Sequence, residues 1–330
     1  MTCPPEPCMT NAMEAPMTVR NSRMAWRESA RWLLAVLFGV LAASGALAAA
    51  PAQKSFATPD DAASALVQAV KARDRNAMLA ALGNASEWLS SGDANADRAA
   101  AARFVADYDQ KHTIALDGDK ATLTIGNEDF PFAFPLVKSG DKWRFDTAAG
   151  KEQLLARRIG GNELSVIKVL QAIVDAEQEY ASEDRVGDGV LAYAQRILSR
   201  PGKRDGLYWP AKAGEPQSPL GVLVAQATDQ GYKQGEKTPT PYHGYYYRML
   251  KGQGKNAGSG AFDYVVRGRG IAGYAVVAYP AKYGNSGIMS FIVNQDGKLY
   301  QADLGPETKA KAEALQRFDP GKGWTVVDAK

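Results

Sequence analysis

Residues 163–180 read ELSVIKVLQAIVDAEQEY, and their reading decides the architecture of the larger half of the chain. Leu164, Ile167, Leu170, Val174 and Tyr180 recur mostly three or four positions apart, while Lys168, Gln171, Asp175 and Gln178 fall between them. That period predicts an amphipathic helix with one face against a core. Gly160-Gly161 is expected to break an earlier helix over 148–159, with Asn162 capping the new one. Asp175, Glu177 and Glu179 lie two apart, so successive carboxylates point to different sides; the spacing predicts solvated groups rather than a converging pair.

Downstream of this helix the pattern changes. A short helix is expected over 190–198, followed by a Gly/Pro-rich surface loop over 201–219 containing Leu207-Tyr208-Trp209-Pro210. Strands are expected over 245–250, 262–266, 272–279, 288–293 and 298–302, with Asn294-Gln295-Asp296-Gly297 as a hairpin turn. A helix over 306–318 and a last strand over 324–327 end the chain. One long helix on an antiparallel sheet buries these faces most simply.

Upstream, Thr58-Pro59-Asp60-Asp61 is a cap with acidic first-turn residues, opening helices between 56 and 83. Another helix is expected over 96–111, with Phe104, Val105 and Tyr108 as its buried stripe. The period then switches to two: residues 113–116 and 121–125 flank Asp117-Gly118-Asp119-Lys120, and 132–137 and 142–145 flank Ser139-Gly140-Asp141. Helices followed by an antiparallel meander make an α+β unit, so the fold class expected for the whole chain is α+β. The first unit, over 55–160, resembles the cone of nuclear transport factor 2 (NTF2)-like proteins. The second, over 161–330, resembles the helix-on-antiparallel-sheet heads of type IV pilins. Both are likenesses of fold, which carry no function.

The first 48 residues read as an export signal. Arg20, Arg23, Arg27 and Arg31 precede the uncharged apolar run 32–43, and Ala46-Leu47-Ala48 supplies the small-x-small pattern of a cleavage site. The length ahead of Arg20 allows Met17 or Met24 to be the true start. Cleavage places the protein in the periplasm or medium with no stable membrane span; retention of residues 32–50 would instead leave an anchor. Of 39 basic and 36 acidic residues, four Arg and three Glu leave with the signal, so 35 and 33 remain. A balance of +2 gives no electrostatic case for nucleic acid. Both cysteines, Cys3 and Cys8, precede the signal, so the exported chain is cysteine-free and is expected to use neither disulfides nor a thiol nucleophile. With only His112 and His243 as imidazoles, no metal or cofactor is expected.

The run 163–167 to 176–180, then Gly206-Leu207-Tyr208-Trp209, Tyr242-His243-Gly244-Tyr245, Gly273-Tyr274-Ala275-Val276 and Tyr283-Gly284-Asn285-Ser286-Gly287, resembles the DUF2950 family. Ser90-Ser91-Gly92-Asp93 and Trp143-Arg144-Phe145-Asp146-Thr147 extend the likeness to the first unit. The resemblance implies a periplasmic or secreted protein and no established activity.

Three constellations are chemically suggestive. Ser286, between Gly284-Asn285 and Gly287, offers a hydroxyl that glycines would expose as a nucleophile, or is the tip of a tight turn. His243 would be its base, alone or with Asp263 or Glu179, or is a structural histidine at a strand edge. Tyr208, Trp209, Tyr242, Tyr246 and Arg248 belong to the densest aromatic region of the chain. Strand alternation puts Tyr245 and Tyr247 on one face and Tyr246 on the other. These rings either cover a half-buried sheet or present a surface that grips a partner. The function expected is a non-enzymatic binding or assembly module for an envelope protein or glycan. A periplasmic hydrolase acting on a wall or polysaccharide substrate in the interdomain groove, through His243 and Ser286 or nearby carboxylates, is the alternative.

Overall fold

A computed structural model describes residues 52–212, 214–233 and 239–327. The expected export signal and both cysteines lie outside them. The described residues all fall within one compact unit.

Three helices open it: α1 (Pro59–Lys71), α2 (Arg75–Leu82) and α3 (Ala94–Gln110). The expected cap on α1 forms and is reciprocal, the Thr58 and Asp61 side chains each accepting from the other's backbone N–H at 3.1 and 3.2 Å. The meander follows as β1 (His112–Asp117), β2 (Lys120–Ile125), β3 (Phe130–Pro131), β4 (Leu136–Ser139) and β5 (Lys142–Phe145). Its order is β1-β2-β4-β5, with β3 on β2 and both expected hairpins in register. Burial alternates along β2 and β5; Leu136 and Phe145 point into one core with Leu66 and Trp88, while Leu123 packs with Val67 and Tyr108. Each such side chain contributes roughly 1.5–3 kcal/mol by leaving water.

Helix α4 (Thr147–Ala181) is one element of 35 residues, about 50 Å long. The break expected at Gly160-Gly161 does not occur, because both glycines keep helical geometry within it. An exposed glycine in a helix costs only about 1 kcal/mol relative to alanine, which the packing of both helix halves outweighs. Asn162 is therefore no cap. Gly150 is required for a different reason: a Cβ there would overlap the Phe134 ring, so only glycine lets α4 rest on the meander.

The C-terminal half of α4 lies on a five-stranded antiparallel sheet. Its strands are β6 (Tyr245–Leu250), β9 (Ala275–Pro280), β10 (Met289–Asn294), β11 (Tyr300–Asp303) and β13 (Thr325–Val326), in the order β13-β11-β10-β9-β6. Before the sheet comes α5 (Gly221–Asp229), and below it lie β7 (Gly252–Gln253), β8 (Phe262–Asp263), α6 (Thr308–Ala314) and β12 (Arg317–Phe318). Every residue of β9 is buried: Val276 and Ala278 face α4, while Ala275, Val277 and Tyr279 face Ala312 and Phe318. The class is thus mixed α+β.

Several expectations need correction. The buried stripe of α4 is Val166, Val169, Leu170, Ile173, Val174, Glu177 and Tyr180, whereas Leu164 is 65 % exposed. The helix is rotated relative to the simple reading because it presents its β-branched flank to the sheet. In α3 only Tyr108 is fully buried. No helix forms over 190–198; Tyr193 bridges Gly270 and Leu198 bridges Tyr208 instead. The stretch 201–219 is not all surface, since Leu207 and Trp209 enter the core beneath α4. Helix α5 escaped sequence reading altogether, being nine residues long with no side-chain cap. No helix among the described residues is long and apolar enough to cross a membrane.

Candidate functional site

Two regions concentrate the chemically suggestive residues: a polar tie between the first helices and the sheet, and a groove along the edge of β6.

The tie is built around Asp93. Fully buried, it caps α3 by accepting from Asn95 and Ala96 N–H through Oδ1 at 3.1 and 3.0 Å. Its Oδ2 accepts from Tyr232 O–H at 2.7 Å and from Gly244 N–H at 3.1 Å. One carboxylate thus joins residues more than a hundred positions apart. Presenting the Gly244 N–H requires a sharp backbone turn, with His243 at φ 50° and Gly244 at φ 74°. Gly244 also lacks room for a side chain, since a Cβ would lie 2.6 Å from Asn162 Nδ2 and 3.0 Å from Ser286 Cβ.

The loop 282–287 completes the tie. Buried Asn285 donates to the Glu87 and Ser90 carbonyls and accepts from Arg158, which also donates to the Trp88 carbonyl at 2.8 Å. Asn162 Nδ2 donates to the Ser286 carbonyl at 2.8 Å. The Ser286 hydroxyl is wholly buried; it accepts from Lys282 N–H at 2.9 Å and donates to the Lys282 carbonyl at 3.2 Å. Both its capacities are consumed inside the turn, so the flanking glycines do not expose it. His243 lies one residue from Gly244 but shares no hydrogen bond with Ser286. Its ring stands 4.2 Å from Tyr242, and burial lowers its pKa while the Asp93 charge pulls upward, leaving the imidazole neutral at pH 7. Neither acid proposed from sequence partners it. Asp263 pairs with Arg317, and Glu179 lies 4.0 Å from Arg185.

The groove has a volume of about 460 Å³. Val169 and Ile173 of α4 and Leu223 and Val224 of α5 form one wall; Tyr242, Tyr246, Tyr247, Arg248 and Tyr279 form the other. β6 lies at the end of the sheet, so the groove reaches both of its faces. Tyr246 packs on Tyr279 at 5.6 Å on the α6 side, while Tyr245 and Tyr247 turn toward α4, as alternation requires. Desolvation pushes the half-buried Tyr247 phenol well up in pKa, and Tyr242 is raised for the same reason. Arg248 reaches back to the end of α6, donating to the Ala312, Glu313 and Leu315 carbonyls. A cation there satisfies carbonyls the helix leaves open and complements its dipole.

Tyr208 and Trp209 do not line the groove among its described residues. Trp209 is 5 % exposed, set edge-on to Tyr180, with the Arg185 and Arg204 guanidinia at 5.9 and 5.5 Å. Tyr208 holds the strip 197–199 by backbone pairing, and Ile197 and Leu198 of that strip belong to the groove wall.

Sequence reading missed a buried carboxyl on α4. Glu177 is fully buried, not solvated; Oε2 accepts from Ala194 N–H at 2.8 Å and Oε1 has no partner. Its place four residues after Ile173, on the buried stripe, was the available signal. Burial raises its pKa well above the ordinary carboxylate range, opposed by the Ala194 bond. A raised folded pKa means that this group's stabilisation is complete below the unfolded pKa and is lost as pH rises toward the folded one. Glu177→Gln keeps an acceptor for Ala194 and cannot ionise. Its thermal midpoint is expected to match the wild type near pH 4 and to exceed it at pH 8 by a few degrees, at roughly 2–4 °C per kcal/mol. Equal midpoints across that range in thermal melts would contradict this account of Glu177.

Compared with known families, residues 53–327 match the model described as "Protein of unknown function (DUF2950)". No curated protein and no solved structure matches the chain.

Proposed function

The chain belongs to the DUF2950 family, and on that premise we propose that it is an exported, non-enzymatic binding module for a component of the cell envelope, with its ligand site in the groove beside β6. The observation that carries this reading is the groove itself: an apolar recess walled by tyrosines and two helices at an open sheet edge. Export rests on the basic and apolar segments and the Ala46-Leu47-Ala48 motif, which suit a chain released into the periplasm or medium. The half over 55–160, read as an NTF2-like cone, serves as a brace. The half over 161–330, read as a pilin-like helix-on-sheet head, bears the ligand, and the Asp93 and Asn285 ties hold one to the other. A hydrolase using His243 and Ser286 has no observation in its favour, because the Ser286 hydroxyl is spent in its own turn.

Tyr242 and Tyr246 are the informative substitutions, since Trp209 is structural and Arg248 caps a helix. Tyr246→Ala is expected to reduce binding of the exported chain to an isolated envelope fraction at least tenfold, as loss of one aromatic anchor does. The circular dichroism spectrum should stay unchanged. Binding at wild-type strength in both Tyr246→Ala and Tyr242→Ala would remove the groove as the site.

A further inference from the structure

Resting on that reading of the groove, we propose that its occupant is an extended polypeptide segment, which adds to β6 as a further strand of the sheet. The argument comes from where the main chain of β6 points. Tyr245 exchanges both backbone bonds with Tyr242, away from β9, whereas the Gly244 carbonyl accepts from Ala281 on the β9 side. Residues in phase with Tyr245 therefore face outward: Tyr247, Met249 and Lys251. Lys251 is already satisfied, donating to the Gln316 carbonyl and accepting from Tyr264 N–H. Between these two closed ends, the Tyr247 N–H and carbonyl and the Met249 N–H have no partner among the described residues. The Met249 carbonyl has only an Arg248 contact at 3.5 Å.

An open edge with two consecutive outward residues is what a short strand needs in order to pair. The groove borders the Tyr246–Arg248 part of this edge, with lining side chains from both faces of β6. Alternate side chains of an added strand would meet Val169, Ile173 and Val224 on one side and Tyr246 and Tyr279 on the other. A glycan could stack on the tyrosines but would leave the main-chain groups unmatched in number and spacing. Charge narrows the class further: Arg248 and Lys233 line the groove, with no carboxylate among its described lining residues. The segment that fits is apolar at alternate positions, lacks basic residues and carries a carboxylate near Lys233.

The test uses synthetic heptapeptides of alternating valine and threonine with one glutamate toward an end, titrated into the isotope-labelled exported chain. The expected result is saturable shifts of the Tyr247 and Met249 amide resonances. N-methylation of the peptide at alternate residues in the pairing phase should weaken binding at least tenfold. Met249→Pro should do the same, because it removes an N–H that faces away from β9 and leaves the ladder intact; Met249→Leu, which returns the N–H, should restore binding. Should Met249→Pro fail to fold, the N-methylated peptides still decide the matter. Absence of peptide binding, or binding indifferent to N-methylation, overturns the inference. If peptidoglycan fragments bind instead, with loss in Tyr246→Ala, the inference fails while the groove keeps its binding role.

Discussion

Asp93→Ala is expected to be the most damaging single substitution outside the apolar cores. It removes the α3 cap, worth about 1 kcal/mol, and leaves the Tyr232 O–H and the Gly244 N–H without their acceptor. Each abandoned buried donor costs roughly 1–3 kcal/mol, so a loss of about 3–7 kcal/mol follows. Thermal unfolding should show it as a midpoint lowered by roughly 10 °C. Asp93→Asn retains one acceptor and should fall between. It also has a readout that mere destabilisation would not give. The Asp93 charge is what opposes the burial-driven lowering of the His243 pKa, so neutralising it should move that titration further down. A His243 titration unmoved in folded Asp93→Asn would contradict the electrostatic part of this account.

The second large effect concerns the other tie. Asn285→Ala deprives the Glu87 and Ser90 carbonyls of a donor and Arg158 of an acceptor, all in a part-buried setting. Burial already lowers the Arg158 pKa, which marks a guanidinium that depends on its few partners. A loss of roughly 2–4 kcal/mol is expected, less than for Asp93 because carbonyls tolerate lost donors better than N–H groups tolerate lost acceptors. Hydrogen exchange distinguishes the mechanism: amides of residues 86–97 should lose protection before those of β9 and β10. Uniform loss of protection would mean that Asn285 supports the whole core rather than the junction. If these ties hold the brace to the head, both substitutions weaken ligand binding only through unfolding.

How much of this was legible depended on how local the cause was. The hairpins at 117–120 and 139–141, the α1 cap and the alternation of Tyr245, Tyr246 and Tyr247 were readable because neighbours in sequence decide them. The rotation of α4 was not, since Leu164 and Val166 are equally apolar and only the facing sheet chooses between them. Gly160-Gly161 misled for the same reason: local propensity favours a break, and tertiary packing overrides it. Among the site residues, Tyr242, Tyr246 and Arg248 reach the groove, yet α5 and its Leu223 and Val224 carried no cap or period to announce them. Ser286 suggests a nucleophile because Gly284 and Gly287 stand near it, and His243 a base because it enters a strand with carboxylates elsewhere in the chain to orient it. The structure uses the neighbouring glycines for close approach and turning, with Gly244 wedged against Asn162 and Ser286. Asp93 showed no signal beyond an ordinary helix cap, because its second role lies 151 residues away.

The central claim is that the groove beside β6 holds the ligand in the cell envelope. Its most direct test is in-cell photo-crosslinking, with a photoreactive phenylalanine placed at Tyr246 and, separately, at Leu116, which is 67 % exposed on the meander. A discrete adduct from position 246 and none from position 116 is the predicted result; no adduct at 246, or equal adducts at both positions, would contradict the claim.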